Sequence, residues 1–461
     1  MDRQGISCSP ATRIGRTLAD ARARRLRRAS TVSPRPAGAN RNRRVTDAVT
    51  STPALPFSLG LTPASSDRPG DDPIFALNAQ ANAHKATGKR TLNATLGALH
   101  EDDGQLAVMQ SVFDALQQVP PQRAAAYAPI AGSPVFLERV IEDLFGDGPL
   151  SEQAVAVATP GGTGALYDAI VNYLEPGQKL LTSSFYWSPY AILAEHARRG
   201  VTTFEMFDPK GGFHLEAFAR GLDELLESQG RALVILNTPC HNPTGYSLDD
   251  VEWRGIVEVL QERAKSGKPI ALVLDYAYAK FAGSICDWRP YVERLTGTVD
   301  VLVAWTASKS FALYGGRVGA LVGLHPDKTA RERLFNALQY TCRGTWSNGN
   351  HMGMLAIEHL LSDPELRARS EQERERMVQL LHTRVEQFNQ HAAPAGLEYP
   401  RYEGGFFVSI FTPRAQQVVQ SCMDRGVFLV PLQGAVRVAL CATPASDVPF
   451  LTETLAEALR G

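Results

Sequence analysis

Apolar runs of four or five residues alternate with longer amphipathic segments over the central part of the 461-residue chain. Runs of this length favour buried β-strands, whereas apolar residues at every third or fourth position favour a helix. The predicted strands are residues 154–158, 179–182, 233–236, 270–274, 301–305 and 320–324. Strands that alternate with helices predict an α/β fold whose sheet is mainly parallel.

The pattern changes towards the end of the chain. One helical segment is predicted from Ser247, with Asp250 three residues on as an approximate capping box. A charged helical segment follows Pro364 and extends to about His391. Strands near 406–411 and 436–440 then predict a smaller α+β domain. We therefore expect four regions: an Arg-rich extension at 1–66, an arm with part of the small domain at 67–104, the large domain at 105–375 and the small domain at 376–461.

Composition narrows the function without naming it. The chain is 44% hydrophobic and its formal net charge is −1, which predicts a large core and no general attraction to nucleic acid or anionic membranes. No apolar stretch reaches the roughly 18 residues that span a bilayer. The six cysteines show no CxxC spacing, so we expect no metal site and no disulfide framework. Reduced, buried thiols in a cytosol-like compartment are the expectation.

The N-terminus leaves the compartment open. Residues 1–46 contain twelve arginines, no lysine, and only Asp2 and Asp20 as acids. This composition is closer to an organellar transit peptide than to a secretory signal, because no apolar segment follows the charges. A disordered Arg-rich extension explains it equally well. We predict a cytoplasmic protein, with an organelle as the alternative.

Polar clusters follow the predicted strands, at the edge where open α/β sheets bind ligands. The stretch "PGGTGAL" at 160–166 joins a strand to a helix, so its backbone N–H groups and Thr163 can hold a phosphate. In "NTPCHNPTG" at 237–245, Asn242 before Pro243 predicts a fixed turn, with a cis bond as one possibility. "LVLDYAYAKF" at 272–281 places Asp275 at the end of an apolar strand and Tyr278 three residues later.

One more strand end carries a lysine. In "TASKSFALYGGRVGA" at 306–320, Lys309 follows an apolar strand, where an ammonium is costly unless it is paired or altered by chemistry. The clusters together specify a ligand with a phosphate, a protonated ring nitrogen and an aldehyde that a lysine can capture. That ligand is pyridoxal 5'-phosphate. Asp275 would keep the ring nitrogen protonated, and Arg317 would pair with the phosphate.

These motifs resemble the fold-type I aminotransferases, and within them the aspartate and aromatic amino-acid aminotransferase family. The resemblance runs from about Asp71 to the C-terminus. "DPIFAL" at 72–77 is similar to the family's N-terminal arm, and "LGALHEDDGQ" at 96–105 to its strand that closes over the substrate. "CHNPTG" and "SKSFALYGGRVG" are close matches. The implied fold is a large domain with a mainly parallel mixed sheet flanked by helices, plus a smaller α+β domain.

The resemblance assigns roles to individual residues. Lys309 would form the Schiff base and shuttle the proton, assisted by Asp275 and Tyr278 as the other catalytic residues. The implied cofactor contacts are Gly162, Thr163, Asn242, Asp275, Tyr278, Thr306, Ser308, Lys309 and Arg317, with Tyr127 reaching the phosphate from the neighbouring subunit of a homodimer. Trp187 would stack on the ring, with Tyr186 as the alternative. The implied substrate contacts are Gly97, Asn242, Arg437 for the α-carboxylate and Arg343, donated across the dimer, for a side-chain carboxylate.

Several departures from the family leave the substrate open. Gly161 stands where Ser is common, and "WSPY" at 187–190 replaces a polar Asn–His pair. The stretches "YGGRVG" at 314–319 and "GTWSNGNH" at 344–351 are looser than the typical forms of the family. The favoured hypothesis is a ping-pong transaminase that acts on aspartate, glutamate or aromatic L-amino acids and a 2-oxoacid such as 2-oxoglutarate. A β-lyase or decarboxylase on the same fold is the first alternative. A non-catalytic regulator that retains the fold is the second, and the N-terminal extension shows no helix-turn-helix pattern to support it.

Overall fold

The computed structural model of the protein describes residues 60–68, 70, 72–283 and 287–461. Contacts divide the chain into two units, Met1–Arg68 and Pro69–Gly461. Most of the predicted extension, residues 1–59, lies outside the described residues, and helix α1 (Pro63–Ser66) belongs to the first unit. All further elements belong to the second unit. The predicted domain boundaries remain predictions.

The second unit contains twelve strands and sixteen α-helices among its described residues. The strands are β1 (Leu92–Asn93), β2 (Ala154–Pro160), β3 (Lys179–Ser183), β4 (Gly200–Phe204), β5 (Ala232–Asn237), β6 (Ile270–Asp275), β7 (Asp300–Thr306), β8 (Val318–Leu324), β9 (Phe407–Phe411), β10 (Val427–Phe428), β11 (Val430–Leu432) and β12 (Ala435–Ala439). The helices are α2 (Pro73–Ala86), α3 (Gln110–Gln117), α4 (Pro121–Ala125), α5 (Pro134–Phe145), α6 (Pro149–Glu152), α7 (Gly161–Tyr173), α8 (Pro189–His196), α9 (Leu215–Gln229), α10 (Asp250–Ala264), α11 (Arg289–Leu295), α12 (Ala307–Ser310), α13 (Lys328–Thr345), α14 (His351–Ser362), α15 (Pro364–Ala392), α16 (Ala415–Asp424) and α17 (Val448–Arg460).

A seven-stranded sheet forms the centre of this unit, in the order β2-β8-β7-β6-β5-β3-β4. Strands β3 to β7 pair in parallel, and β8 runs antiparallel between β2 and β7. Every residue of β5, β6 and β8 is buried, which explains their continuous apolar sequences. The predicted α/β fold with a mainly parallel mixed sheet is confirmed.

Each of the six predicted strands of the large sheet is present, and each is one or two residues longer than predicted. Strand β4, in contrast, was not predicted. It lies at the edge of the sheet, and only Phe204 of its five residues is buried, so its sequence "GVTTF" lacks a core-like run. Edge position removes the hydrophobic signal on which strand prediction depends.

Two local predictions were wrong. The helix expected from Ser247 begins at Asp250, because Asp249 accepts the Val251 and Glu252 N–H groups and forms the capping box with Glu252. The stretch 96–105 is not a strand; it makes one isolated bridge, between His100 and Leu106. A turn closed by the Gly104 N–H on the Glu101 carbonyl, with Gly104 at φ +84°, interrupts extended pairing there.

The C-terminal part forms a three-stranded antiparallel sheet, β11-β12-β9, and β10 pairs in parallel with β1 from the N-terminal part. Helix α15 extends over residues 364–392, across the predicted boundary at 375. The Ser409 hydroxyl on β9 donates to the Pro243 carbonyl at 2.9 Å, which connects the small sheet to the turn after β5. This contact brings β12 and its Arg437 towards the carboxyl edge of the large sheet.

Candidate active site

Strand register assembles one edge of the large sheet. Asn237 at the end of β5 lies opposite Asp275 at the end of β6, and Asp275 lies opposite Ala304 of β7. On the antiparallel side, Thr306 lies opposite Gly319, and Pro160 opposite Val318. The polar clusters predicted at separate strand ends therefore meet at one place.

A cavity of about 180 Å³ opens at this edge. Its walls contain every predicted cofactor contact except Tyr186 and Tyr127. The lining residues are Gly162, Thr163, Leu166, Trp187, Asn237, Asn242, Asp275, Ala277, Tyr278, Thr306, Ser308, Lys309 and Arg317.

Asp275 is the carboxylate of the cavity and is 6% exposed. Burial raises its pKa, whereas a hydrogen bond from Tyr190, the charge of Lys309 and the Ala277 N–H act in the opposite direction. The Tyr190 hydroxyl donates to Asp275 Oδ2 at 2.6 Å. The Asn237 amide donates to the Asp275 main-chain carbonyl at 2.7 Å, so backbone and side chain are both held.

Lys309 lies on the short helix α12, directly after β7. Its Nζ is 5.3 Å from the centre of the Tyr278 ring. Burial lowers the pKa of this amine, Asp275 opposes that shift, and the charge of Arg317 adds to it. A lowered pKa increases the fraction of neutral amine, which is the nucleophilic form.

Another part of the cavity wall is suited to an anion. Helix α7 begins at Gly161, so the N–H groups of Gly162 and Thr163 lie at the N-terminus of a 13-residue helix. Arg317 Nη1 donates to the Ser308 hydroxyl at 3.1 Å and to the Tyr314 carbonyl at 3.1 Å, both neutral groups. Its positive charge is thus available to a ligand.

Gly161 explains one departure from the family pattern. It has φ +70°, and a Cβ placed on it would lie 2.5 Å from Arg317 Nη2. A side chain at this position would displace the guanidinium as well as strain the backbone. Glycine therefore permits the close approach of Arg317.

Asn242 and Tyr278 form a neighbouring pair of donors. The Asn242–Pro243 bond is cis, as one form of the predicted turn, and the Asn242 amide donates to the Tyr278 hydroxyl at 3.2 Å. Burial, followed by the charge of Asp275, raises the pKa of Tyr278. The phenol therefore remains a donor.

The two candidates for ring stacking are separated by the structure. Trp187 lines the cavity, whereas Tyr186 is not part of its wall. The Tyr186 ring instead stacks on Tyr190, with centroids 6.1 Å apart and planes at 13°. Trp187 meets the same Tyr190 edge-on at 5.7 Å.

Of the predicted substrate residues, Asn242 lines this cavity, whereas Gly97, Arg343 and Arg437 are not part of its wall. Arg437 is 5% exposed, donates from Nη2 to the Thr95 carbonyl at 2.6 Å and stacks over Phe407 at 4.5 Å. Its Nε has no hydrogen-bond partner among the described residues. Gly97 packs against the same ring, since a Cβ there would lie 2.4 Å from Phe407 Cζ.

Arg343 and Tyr127 do not line the cavity either. Arg343, on the last turn of α13, is exposed and donates to the Ser347 hydroxyl at 2.7 Å. Tyr127 is 91% exposed. Within this chain, neither contributes to the cavity, and their predicted action across a dimer remains a prediction.

Sequence reasoning missed several residues of the site: Asn237, Leu166, Ala277 and Tyr190. Asn237 was visible as the first letter of "NTPCHNPTG", but its role as a brace between two strand ends depends on register. Tyr190 carries no signal by itself, because its link to Asp275 spans 85 positions.

The described residues fit pyridoxal phosphate. The N-terminus of helix α7 and the positive charge of Arg317 suit the phosphate. Asp275 suits a protonated ring nitrogen, and Lys309 suits the aldehyde. No group of three or more His, Cys, Asp or Glu that could hold a metal occurs in the described part of the chain. None of the described helices has the length and apolar character needed to cross a membrane.

Comparison with known proteins agrees with this geometry. The family described as "Aminotransferase class I and II" matches residues 92–455. The chain is 28% identical to an aspartate aminotransferase of Pseudomonas aeruginosa over 84% of this chain and 97% of that one. It is 30% identical to an aromatic-amino-acid aminotransferase of Paracoccus denitrificans over 64% and 74%.

Solved structures give the same result. An aminotransferase of Anaerococcus prevotii matches with a TM-score of 0.84 and 33% identity, over 88% of this chain and all of that one. An aromatic-amino-acid aminotransferase of Burkholderia pseudomallei, covalently bound to pyridoxal phosphate, matches with a TM-score of 0.73 and 27% identity, over 87% and 100%. The chain belongs to the aminotransferase class I and II family. It is a pyridoxal-phosphate-dependent aminotransferase of fold type I, and these relatives do not favour the lyase or regulator alternatives.

Proposed function

We propose that the protein transfers the amino group between aspartate, glutamate or an aromatic L-amino acid and a 2-oxoacid such as 2-oxoglutarate, in a ping-pong reaction. The observation that carries this proposal is the placement of Lys309, Asp275 and Arg317 around one cavity. The substrate class is supported by relatives that are named aspartate and aromatic-amino-acid aminotransferases.

The cofactor, when bound, supplies an aldehyde that captures amino groups and a ring that accepts electrons released at the substrate Cα. Lys309 would attach the cofactor and then move the proton between the substrate Cα and C4' of the cofactor. Its lowered pKa supports this role, because a general base must be neutral to accept a proton.

The other polar residues would orient the cofactor. Gly162, Thr163 and Arg317, with Thr306 and Ser308 beside them, would bind the phosphate. Asp275 would accept the hydrogen bond of the ring N–H. Tyr278 and Asn242 would donate to the phenolic oxygen, and Trp187 would cover the ring face. Their position in one cavity wall supports these assignments.

Arg437 would bind the substrate α-carboxylate. Its unpartnered Nε and its burial support this role, since a buried guanidinium gains most from a bidentate carboxylate. Gly97 would border the same subsite through its contact with Phe407. Arg343, from the partner subunit, would bind the side-chain carboxylate of aspartate or glutamate.

A panel of amino donors with 2-oxoglutarate tests the substrate class, run on the wild type and Arg343→Ala. We expect kcat/KM for aspartate and glutamate to fall about 10- to 150-fold in the variant, the value of a hydrogen-bonded charge pair. Turnover of phenylalanine and tyrosine should change little. An equal loss for all donors would contradict the role of Arg343, and the absence of turnover by the wild type with every acidic and aromatic donor would contradict the proposed function.

We also propose a homodimer with shared active sites. Tyr127 and Tyr340 are 91% and 82% exposed, and aromatic rings this accessible are common where subunits meet. To test this sharing, Lys309→Ala and Arg343→Ala proteins are mixed and allowed to exchange subunits, and activity is then measured. In each mixed dimer one site regains both residues, so activity towards aspartate should return. No recovery in mixed dimers would contradict sharing.

The cytoplasm is the proposed compartment, with an organelle as the alternative. The free, buried thiols of Cys240, Cys342, Cys422 and Cys441 support a reducing environment. Fractionation of cells that produce the full chain would decide between the two.

A further inference from the structure

Tyr190 contacts the carboxylate of the cavity but does not itself line the cavity. Its ring is 1% exposed, and its hydroxyl donates to Asp275 Oδ2 at 2.6 Å. We propose that Tyr190 is a positioning residue that keeps Asp275 ionised and directed at the ring nitrogen of the cofactor. This inference rests on the proposed function of Asp275.

The chemistry requires such a donor. Burial favours the neutral carboxyl form of Asp275, and a neutral carboxyl cannot hold a pyridinium by charge. The charged and titratable groups around Asp275 are Lys309, Tyr278 and Tyr190. Burial and the neighbouring carboxylate raise the pKa of Tyr190, so its proton stays on the phenol oxygen and is always available for donation.

The geometry leaves space for the ring N–H. A carboxylate offers about four acceptor positions, and the Tyr190 hydroxyl and the Ala277 N–H occupy two of them. The backbone of Asp275 is held separately, through the Asn237 amide. Loss of the Tyr190 hydroxyl should therefore change the protonation and orientation of the Asp275 carboxylate without moving the strand.

The aromatic ring of Tyr190 has its own contacts, which allows the hydroxyl to be tested alone. It packs edge-on against Trp187 and stacks with Tyr186. Tyr190→Phe retains these ring contacts and removes only the donor. Tyr246→Phe is a matched control, because the Tyr246 ring is also 1% exposed and its hydroxyl donates to Glu252, outside the cavity.

The experiment measures the affinity of the apoprotein for pyridoxal phosphate over a range of pH, together with kcat, KM and thermal unfolding. We expect Tyr190→Phe to bind the cofactor about tenfold more weakly at neutral pH, the scale of one hydrogen bond to a charged group. The deficit should grow as the pH falls, because Asp275 without its donor takes up a proton at higher pH. kcat should fall while KM for the amino donor stays unchanged, and Tyr246→Phe should bind like the wild type.

A second background separates positioning from general loss of structure. In Asp275→Asn protein, which has no carboxylate to ionise, adding Tyr190→Phe should alter cofactor affinity by no more than about twofold, the usual error of additivity. A full additional loss would overturn the inference. If Tyr190→Phe does not fold, 3-fluorotyrosine at position 190 retains the shape with a more acidic hydroxyl, and binding at low pH should then tighten; unchanged binding would overturn the inference.

The outcomes distinguish the two levels of the account. Wild-type protein that never binds pyridoxal phosphate would overturn the proposed function itself. Wild-type protein that binds and turns over, beside a Tyr190→Phe variant with the same affinity, pH profile and kcat, would overturn only the role of Tyr190.

Discussion

The cofactor half and the substrate half of the proposed site are built in different ways. Cofactor residues such as Asp275 and Lys309 follow adjacent strands of one sheet and line one cavity within a single chain. Apart from Asn242, which belongs to both halves, the substrate residues come from elsewhere: Gly97 from an irregular segment, Arg437 from the small sheet, and Arg343 from an exposed helix end.

This difference follows from how each half is held. Parallel strands fix the relative height of their last residues through backbone hydrogen bonds, so the cofactor half is set once the sheet forms. The substrate half depends on side-chain contacts between segments, such as Arg437 to the Thr95 carbonyl and Ser409 to the Pro243 carbonyl. We therefore expect substitutions in the cofactor half to impair catalysis strongly. Substitutions in the substrate half should alter the range of amino acids accepted more readily.

The largest effect should come from the centre of the cofactor half. Lys309→Ala removes both the attachment point and the proton carrier, and kcat should fall by at least about 10⁴-fold, the upper range for one general acid–base group. A coupled assay with aspartate and 2-oxoglutarate measures it. Lys265→Ala, an exposed lysine paired with Glu262, is the control and should retain wild-type activity. Substantial turnover by Lys309→Ala would contradict the assignment.

Substitution of one arginine in each half should affect different quantities, cofactor affinity for the cofactor half and KM for the substrate half. Arg317→Gln should weaken pyridoxal phosphate binding by about 10- to 150-fold, because a charge-assisted contact to the phosphate is lost. Arg437→Gln should instead raise KM for every amino donor and leave cofactor affinity close to wild type. Cofactor titration and steady-state kinetics on both variants measure this. Equal effects of both variants on cofactor affinity would show that the halves are not separate.

Substitution of a glycine inside the cofactor half should reduce cofactor affinity more than substitution of a glycine with similar backbone conformation outside it. Gly161→Ala and Gly177→Ala both place a side chain at positive φ, +70° and +88°, and each should cost about 1–2 kcal/mol of unfolding free energy. Only Gly161 faces Arg317; around Gly177 an added Cβ meets open space. Cofactor affinity should fall about tenfold in Gly161→Ala alone. Unchanged affinity there would contradict the close approach of Arg317.

The smallest effect on activity should come from a buried acid that neither half uses. Burial raises the pKa of Asp168 to about 8, and its neighbours are Asn172, Thr341 and Cys342. The folded protein thus holds a proton that the unfolded chain releases, so the free energy of unfolding falls as pH rises from about 4 to about 8. Asp168→Asn should flatten this slope and leave kcat unchanged. Denaturant unfolding at several pH values measures it, and an unchanged slope would contradict the assignment of that proton.

The same contrast explains how much the sequence could predict. Buried strands have continuous apolar sequences, which makes them predictable. Six strands of the large sheet could therefore be predicted, together with the polar residues that follow them, including Asp275, Asn242 and Lys309. The sheet then supplied the rest by register. The edge strand Gly200–Phe204 lacked such a run and was missed.

What the sequence could not predict depends on distant contacts. The Tyr190–Asp275 hydrogen bond joins a helix to a strand end, and Asn237 braces two strands. The 96–105 segment was expected to be a strand, but a turn closed at Gly104 interrupts it. The resemblance ranked Trp187 before Tyr186 for the ring face, and Trp187 is the one of the two that lines the cavity.

The central claim is that Lys309 attaches the cofactor opposite Asp275. Reduction of the pyridoxal-phosphate-loaded protein with borohydride, followed by peptide mass spectrometry, tests it directly. We expect loss of the yellow absorbance and one phosphopyridoxyl group, on the peptide that contains Lys309. Label on any other lysine, or a protein that never becomes coloured, would contradict the account.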